Sequence, residues 1–300
     1  LSVHSSLFIK SKNSVHKCSL KRLPGNTEPM LPSLPIHVPT DAASLAIAAF
    51  QSLNLLAAAN EIKNPTPYSK FARGLAGAKL PSRLGMLSIY TPSAVISGIS
   101  LLTSLTSGLA SERTVLVAAM LFVHFAKRVA ETLLLHRFSG SMVGGTAAFI
   151  SIFYSLVTCL VLVQQGRVPL SVYDAASSSG ILSAGLILFA VGQLGNFYHH
   201  WLLASLRKPE ASASADGAAE KAYVVPRGGL FELVTMPHYL FEIVAWFGIA
   251  LAAQQLNVLL VVAGMTSYLA GRSVATSRWY ESKFGDKFPG QRRHMVPFIF

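Results

Sequence analysis

The chain has few charged residues and almost no cysteine. Asp, Glu, Lys and Arg make up 13% of its 300 residues, whereas soluble domains usually carry about 25%. Hydrophobic residues make up 52%, and the mean hydropathy is +0.48. This composition excludes an ordinary soluble domain and predicts a polytopic membrane protein. Cys18 and Cys159 are the two cysteines, which is too few for a disulfide framework or a thiolate metal site.

Several familiar ligand-binding motifs are also missing. The sequence contains neither G-x-G-x-x-G nor G-x-x-x-x-G-K-[ST], so a bound nucleotide would not sit on a Rossmann or P-loop fold. The nine histidines form no H-x-x-H or H-x-x-x-H cluster, and we therefore expect no metal site. The net charge of +12 is better explained by basic cytosolic loops facing anionic lipid than by nucleic-acid binding, which we do not expect.

Long uncharged runs mark the membrane spans. Such runs separate Asp41 from Glu61, Arg83 from Glu112, Arg137 from Arg167, Asp174 from Arg207, and Glu242 from Arg272. About 20 apolar residues cross a bilayer as a helix. A further span has polar residues inside it, and the last run is divided by Gln254, Gln255 and Asn257. The prediction is an all-α bundle of about seven transmembrane helices, near residues 41–60, 84–108, 113–136, 143–164, 180–205, 232–253 and 256–280.

The distribution of basic residues predicts the orientation. The 61–83 loop, the 206–229 loop and the tail after Tyr280 are rich in Lys and Arg, whereas the opposite loops are nearly uncharged. The positive-inside rule therefore places the C-terminus in the cytosol and the N-terminus in the lumen. Residues 1–40 are rich in basic residues and serine, as in a transit-type leader, with Met30 as a possible start. The remaining chain divides into a substrate-side part, 41–150, and a C-terminal part, 151–300.

Polar residues inside two spans point to a functional site, because ionisable groups are costly in a membrane. In the third span, Lys127 and Arg128 lie close to His124 and Glu131. They could pair internally with Glu131, or form a cationic wall for an anionic ligand from the cytosol. In the fifth span, Gln193, Asn196 and His200 lie on one helix face. This stripe suits either hydrogen bonds between helices or a ligand site.

The last two spans carry polar stripes at four-residue intervals, which place side chains on one helix face. His238 and Glu242 form one stripe, and Arg272, Thr276 and Tyr280 form the other. A tyrosine beside an arginine could act as a general acid, although both types also anchor helices at membrane interfaces.

A glycine turn precedes the sixth span. Gly228 and Gly229 follow Pro226 and Arg227, and exposed backbone N–H groups beside a cation suit a phosphate. A single such turn is weak evidence for a phosphate site.

Four segments together resemble the steroid 5α-reductase family, most closely its trans-2-enoyl-CoA reductase branch and plant relatives. They are HFAKRVAETLLLHRFSG, QLGNFYHH, PRGGLFELVTMPHYLFEI, and GRSVATSRWYESKFGDKFP with VPFIF. The resemblance runs from about Gly85 to Phe300. It implies a seven-helix, multi-pass enzyme of the endoplasmic reticulum membrane that uses NADPH to reduce an activated carbon–carbon double bond. The substrate would be lipid-like, such as a trans-2-enoyl-CoA of very-long-chain fatty acid elongation or a steroid, and elongation enzymes are possible partners.

The resemblance also assigns roles to individual residues. Tyr280 matches the tyrosine suggested as proton donor in enoyl reductases. The NADPH pocket, within the C-terminal part, would be lined by Asn196, His200, Tyr223, His238, Glu242 and Arg272.

Three positions depart from the family pattern. Tyr90 and Phe125 stand where steroid 5α-reductases pair a glutamate with a tyrosine to hold the steroid 3-keto group, and His200 replaces an aspartate. The missing pair favours an enoyl thioester over a 3-oxo-Δ4 steroid. Two other interpretations stay open: a membrane methyltransferase of the isoprenylcysteine type, which has a double glutamate where this chain has Tyr280 and Glu281, and a non-catalytic lipid-binding relative.

Overall fold

The described part of the chain is a bundle of α-helices. A computed structural model describes residues 35–67, 71, 77–138, 140–176, 180–206 and 223–300. Most of the leader predicted at 1–40 therefore lies outside the described residues. The α-helices in these ranges are α1 (Ala42–Leu53), α2 (Ala57–Lys63), α3 (Ser82–Ser107), α4 (Glu112–Ala130), α5 (Gly144–Gln165), α6 (Leu170–Ala176), α7 (Ile181–Ser205), α8 (Pro237–Ala253) and α9 (Leu256–Phe284).

Short elements connect these helices. The 3-10 turn Asn54–Leu56 joins α1 to α2, and α4 continues into a π-helix, Glu131–Leu135. The strands β1 (Lys79–Pro81) and β2 (Ser141–Val143) pair antiparallel, with Leu80 opposite Met142. Further 3-10 turns at Gly229–Glu232 and Gly285–Lys287 precede α8 and follow α9.

The prediction of an all-α membrane bundle is confirmed. Among the described residues, five helical segments are long and apolar enough to cross a bilayer: Ala42–Lys63, Ser82–Ser107, Gly144–Gln165, Ile181–Ser205 and Leu256–Lys287. The third and sixth predicted helices correspond to α4 and α8. α4 carries Lys127 and Arg128 in its last turn, and α8 has only 17 residues.

The sixth helix begins later than the sequence indicated. The sequence predicts a helix over 232–253, whereas α8 begins at Pro237, because Gly229–Glu232 forms a separate 3-10 turn. Proline at the first position of a helix has a suitable φ and no N–H that would need a partner. The extended chain before Pro237 is anchored instead by the C-terminal tail, because Thr235 N donates to Arg293 O at 2.8 Å.

Close contact between α7 and α8 sets the position of the polar residues. A Cβ atom at Gly192 would overlap the backbone of Ala245, and a Cβ atom at Gly248 would overlap the backbone of Phe189. Small residues let helix backbones approach closely inside a membrane, where packing and hydrogen bonds hold helices together. As a result, Asn196 of α7 lies within hydrogen-bond distance of α8.

The apolar core lies between α3, α4, α5, α8 and α9. Val117 and Leu121 of α4, Val161 of α5, Ile249 of α8 and Val258 of α9 are fully buried within it. This core fixes α4 against α8, so the charged residues at the C-terminal end of α4 face their partners on α7 and α8.

The turn between α8 and α9 is held by a segment that precedes α1. His37 N donates to Gln254 O at 2.8 Å, and Leu256 N donates to His37 O at 3.0 Å. The Gln254 side chain donates to Pro35 O at 3.0 Å, and Gln255 donates to Gln165 of α5. Residues 35–37 are therefore tied to the membrane bundle.

Candidate active site

A cavity of ≈ 400 Å³ opens between the helices. Its volume falls in the range of small-molecule pockets. Part of its wall is apolar and is contributed by residues such as Phe125, Phe149, Phe153, Tyr154 and Trp246. Another part is polar and contains Tyr90, His124, Arg128, Asn196, His200, His238 and Glu242. The cavity could therefore hold a ligand with one apolar and one polar portion.

A network of ionisable and amide side chains adjoins this cavity, and we refer to it as the charged cluster. Its members are His124, Lys127, Arg128, Glu131, Asn196, His200 and Glu242.

Glu131 is the central anion of the charged cluster. Lys127 Nζ donates to Glu131 Oε1 at 2.9 Å, and Arg128 pairs with Glu131 Oε2. His200 Nδ1 lies 3.0 Å from Glu131 Oε2 and 2.8 Å from Arg128 Nη1. The structure thus shows the internal pairing with Glu131, and Arg128 also lines the cavity.

Asn196 connects α4, α7 and α8. Its Oδ1 accepts from Lys127 Nζ at 2.6 Å, and its Nδ2 donates to His238 O at 2.9 Å and to Glu242 Oε2 at 3.1 Å. Both N–H groups and the carbonyl oxygen of this one side chain thus bind three partners. Asn196 therefore holds the polar parts of three helices in a fixed arrangement.

Glu242 also binds α4 through His124. Its Oε1 lies 3.2 Å from His124 Nε2, while His124 Nδ1 lies 3.0 Å from Gln193 Nε2. The His124 ring packs edge-on against Trp246, with centroids 5.4 Å apart. The imidazole is consequently fixed at both nitrogen atoms and by its contact with the Trp246 ring.

The charges of the cluster balance. Lys127 and Arg128 supply two cations, and Glu131 and Glu242 supply two anions. Buried ions are stable only when they are paired and hydrogen-bonded. The result is a rigid, pre-formed polar wall in which each charged group has a partner.

Arg272 is placed differently from the other predicted cofactor residues. Its Nη1 donates to Glu61 Oε1 at 2.6 Å and to Thr66 O at 2.8 Å, and its guanidinium lies over the Phe71 ring. Glu61 and Thr66 line the cavity, whereas Arg272 is not among its lining residues in the described ranges. Glu61, the only acid of the predicted 61–83 loop, is not among the site residues that the sequence predicts.

Tyr280 and Tyr223 belong to an aromatic group near the C-terminal end of α9. The Tyr280 ring stacks on Phe288 with centroids 5.5 Å apart, and Tyr223 contacts Trp279 at 4.7 Å. Neither tyrosine is among the described residues that line the cavity. Tyr280 lies two helical turns beyond Arg272, about 12 Å along the axis. The structure thus brings together Asn196, His200, His238 and Glu242, but not all seven predicted site residues.

The glycine turn before α8 already has an acidic partner. Gly228 N donates to Glu232 Oε1 at 2.7 Å, and Arg292 lies 3.4 Å from Glu232 Oε2. The Gly228 hydrogen bond, with Arg292 and Arg227 nearby, holds the pKa of the Glu232 carboxyl below its ordinary value. The backbone N–H at Gly228 that could have received a phosphate is therefore bound to a carboxylate.

Glu131, His136 and His200 have ligand atoms within 4.8 Å of one another, a spacing that could hold a metal ion. Arg128 and Lys127 both bind the same carboxylate. Two cations at this position would repel a divalent metal ion. The geometry therefore favours ion pairing of Glu131 over metal binding.

Comparison with known proteins identifies relatives across most of the chain. The family described as 3-oxo-5-alpha-steroid 4-dehydrogenase matches residues 146–300. The chain is 30% identical to 3-oxo-5-alpha-steroid 4-dehydrogenase 2 of Sus scrofa over 268 residues, which is 87% of this chain and 97% of that protein.

Two further relatives match over shorter stretches. The very-long-chain enoyl-CoA reductase of Dictyostelium discoideum is 30% identical over 59% of this chain. The steroid 5-alpha-reductase DET2 of Gossypium hirsutum is 38% identical over 39% of it. The matches span 55% and 42% of the lengths of these two proteins, or about half.

Proposed function

The chain belongs to the 3-oxo-5-alpha-steroid 4-dehydrogenase family, and from this premise we propose that it is an NADPH-dependent membrane reductase of an activated carbon–carbon double bond in a lipid substrate. The observation that carries the proposal is the charged cluster beside a largely apolar cavity. A lipid chain requires an apolar wall, and a reaction that develops negative charge requires fixed cations and hydrogen-bond donors. Both walls are present within one cavity.

The polar wall has the chemistry that a nicotinamide cofactor needs. Asn196, His200, His238 and Glu242 offer amide, imidazole and carboxylate groups to a carboxamide and to ribose hydroxyls. Arg227, which is exposed beside the glycine turn, offers a cation to the phosphates. NADPH, when bound, would supply a hydride. We propose that these residues bind NADPH, with Tyr223 and Arg272 as further contacts predicted by the resemblance.

An enoyl thioester is the proposed substrate, such as a trans-2-enoyl-CoA of very-long-chain fatty acid elongation. Two observations support it. Tyr90 and Phe125 replace the glutamate and tyrosine expected for a 3-oxo-Δ4 steroid, and one relative is named a very-long-chain enoyl-CoA reductase. On this proposal the protein works in the endoplasmic reticulum membrane beside the other elongation enzymes, with its C-terminus in the cytosol.

The proposal is tested with the purified protein in detergent. NADPH consumption is followed with trans-2-hexadecenoyl-CoA, and separately with a 3-oxo-Δ4 steroid and a polyprenol. We expect consumption with the enoyl-CoA. Asn196→Ala should abolish it, since three helices lose their shared contact, while Ser205→Ala, an exposed change on the same helix, should not.

If NADPH is not consumed with any of the three substrates, the proposal is contradicted. Methyl transfer from S-adenosylmethionine would support the methyltransferase alternative, and stabilisation by neither cofactor would support a non-catalytic lipid binder. Tyr280 as proton donor stays a prediction of the resemblance, and a Tyr280→Phe variant with full reductase activity would exclude it.

A further inference from the structure

Tyr90 lies where the apolar and polar parts of the cavity wall meet. It belongs to α3, lines the cavity and is 8% exposed. Its ring lies 6.1 Å from the ring of Tyr154, and its hydroxyl contacts Arg128. A substrate with its lipid portion against the aromatic residues would therefore present its polar end close to the Tyr90 hydroxyl.

The contact with Arg128 prepares the Tyr90 hydroxyl to release a proton. Arg128 Nη2 donates to Tyr90 Oη at 2.8 Å, and the guanidinium carbon lies 4.7 Å from the ring centroid. A guanidinium has only donors, so Tyr90 Oη must accept, and its own O–H hydrogen points away from Arg128. A fixed cation at this distance stabilises the negative charge that remains on the oxygen after proton transfer.

Arg128 is itself held in place. It pairs with Glu131, and its Nη1 lies 2.8 Å from His200 Nδ1. The donor and its supporting cation are thus positioned before any ligand binds, as general acid catalysis requires. Tyr280, by contrast, stacks against Phe284 and Phe288 outside the described cavity lining.

We propose that Tyr90, supported by Arg128, is the proton donor to the substrate. The inference rests on the proposed function. The β-carbon of the enoyl group gains the hydride, and the electron pair of the double bond moves toward the carbonyl oxygen to give an enolate. The Tyr90 O–H bond then breaks, and its proton forms a new C–H bond at the α-carbon. The phenolate is held by Arg128 and takes its next proton from water.

Tyr90→Phe is the test, because it removes only the hydroxyl and keeps the ring between Tyr154 and Arg128. With trans-2-hexadecenoyl-CoA and NADPH, we expect kcat to fall by about 100-fold or more, the usual range for loss of a general acid. The fall in kcat should be larger for Tyr90→Phe than for Tyr280→Phe. Tyr198→Phe, an exposed change on α7, is the matched control and should keep the wild-type kcat.

Binding and folding are measured separately from turnover. Binding of NADPH alone and of trans-2-hexadecenoyl-CoA alone is followed by tryptophan fluorescence, and folding by the melting temperature. We expect Tyr90→Phe to retain NADPH affinity and to stay folded, with a melting temperature lowered by the loss of its hydrogen bond from Arg128. A folded Tyr90→Phe variant with wild-type kcat, or a larger loss in Tyr280→Phe, would overturn the assignment of Tyr90 while leaving the reductase proposal intact. If the wild-type protein consumes no NADPH with any substrate, the proposed function fails and the inference fails with it.

Discussion

Glu131 shows how one buried carboxylate can hold a whole polar wall. It neutralises Lys127 and Arg128, each of which then reaches a second partner, Asn196 and Tyr90 respectively. The Glu131 side chain is only 2% exposed, so water cannot replace it as a partner for the two cations. Glu131 itself is not among the described residues that line the cavity.

Glu131→Gln should be strongly destabilising, because it leaves the buried Arg128 and the half-buried Lys127 without their shared counter-ion. Loss of one partner of a buried ion pair typically costs about 3–5 kcal/mol. The free energy of unfolding in detergent measures the effect. Glu112→Gln, at the exposed first turn of the same helix, is the control and should change stability little. Equal stability of the two variants would contradict the role of Glu131 as the shared counter-ion of Lys127 and Arg128.

Arg272 is predicted to bind the cofactor, but in the structure it is paired with Glu61. Both side chains are 3% exposed, so Arg272→Met should also cost about 3–5 kcal/mol. The double variant Glu61→Leu, Arg272→Met should recover most of that stability, because it removes both charges together. NADPH affinity of the double variant then separates the two roles. A normal affinity would exclude Arg272 as a cofactor contact, and a lost affinity in a stable protein would assign cofactor binding to the Glu61–Arg272 pair, since Glu61 lines the cavity.

The pairing of α7 with α8 brings the predicted cofactor residues together. Asn196 and His200 come from α7, and His238 and Glu242 come from α8. Their distances depend on how closely the two backbones approach, and this approach depends on glycines that face the partner helix. The polar site is thus positioned by residues that carry no functional group.

Gly192→Ala tests this dependence. A Cβ atom at position 192 would overlap the backbone of Ala245, so the helices must separate, at a cost of about 1–3 kcal/mol or more. Asn196 would then lose its contacts with α8, and we expect weaker NADPH binding together with a lower melting temperature. Gly145→Ala is the matched control, because its Cβ atom would meet no atom within 4 Å. If both variants behave like the wild type, the glycine contact does not set the site.

Across the whole molecule, local patterns predicted the helices but not their partners. Uncharged runs located the spans, and His238 and Glu242, which are four residues apart in the sequence, line the same cavity in the structure. The pairing of Arg272 with Glu61 joins residues 211 positions apart, and no local pattern contains that information. The start of α8 was missed for a similar reason, since the chain before Pro237 is held by the distant C-terminal tail. The same limit applies to Tyr90, whose contact with Arg128 depends on how α3 packs against α4.

The orientation predicted for the bundle is based on the charge of its loops and can be tested directly. Basic residues concentrate in the segments predicted to be cytosolic, and anionic cytosolic leaflets favour such segments. In a background without Cys18 and Cys159, we compare Ser282→Cys with Ser171→Cys, since both positions are exposed. In sealed microsomes, a membrane-impermeant maleimide should label Cys at position 282 and reach position 171 only after the membrane is opened with detergent. The opposite labelling pattern would place the end of α9 in the lumen. A soluble cytosolic cofactor could then not enter the cavity from that side, and the proposed function would need a different route for NADPH.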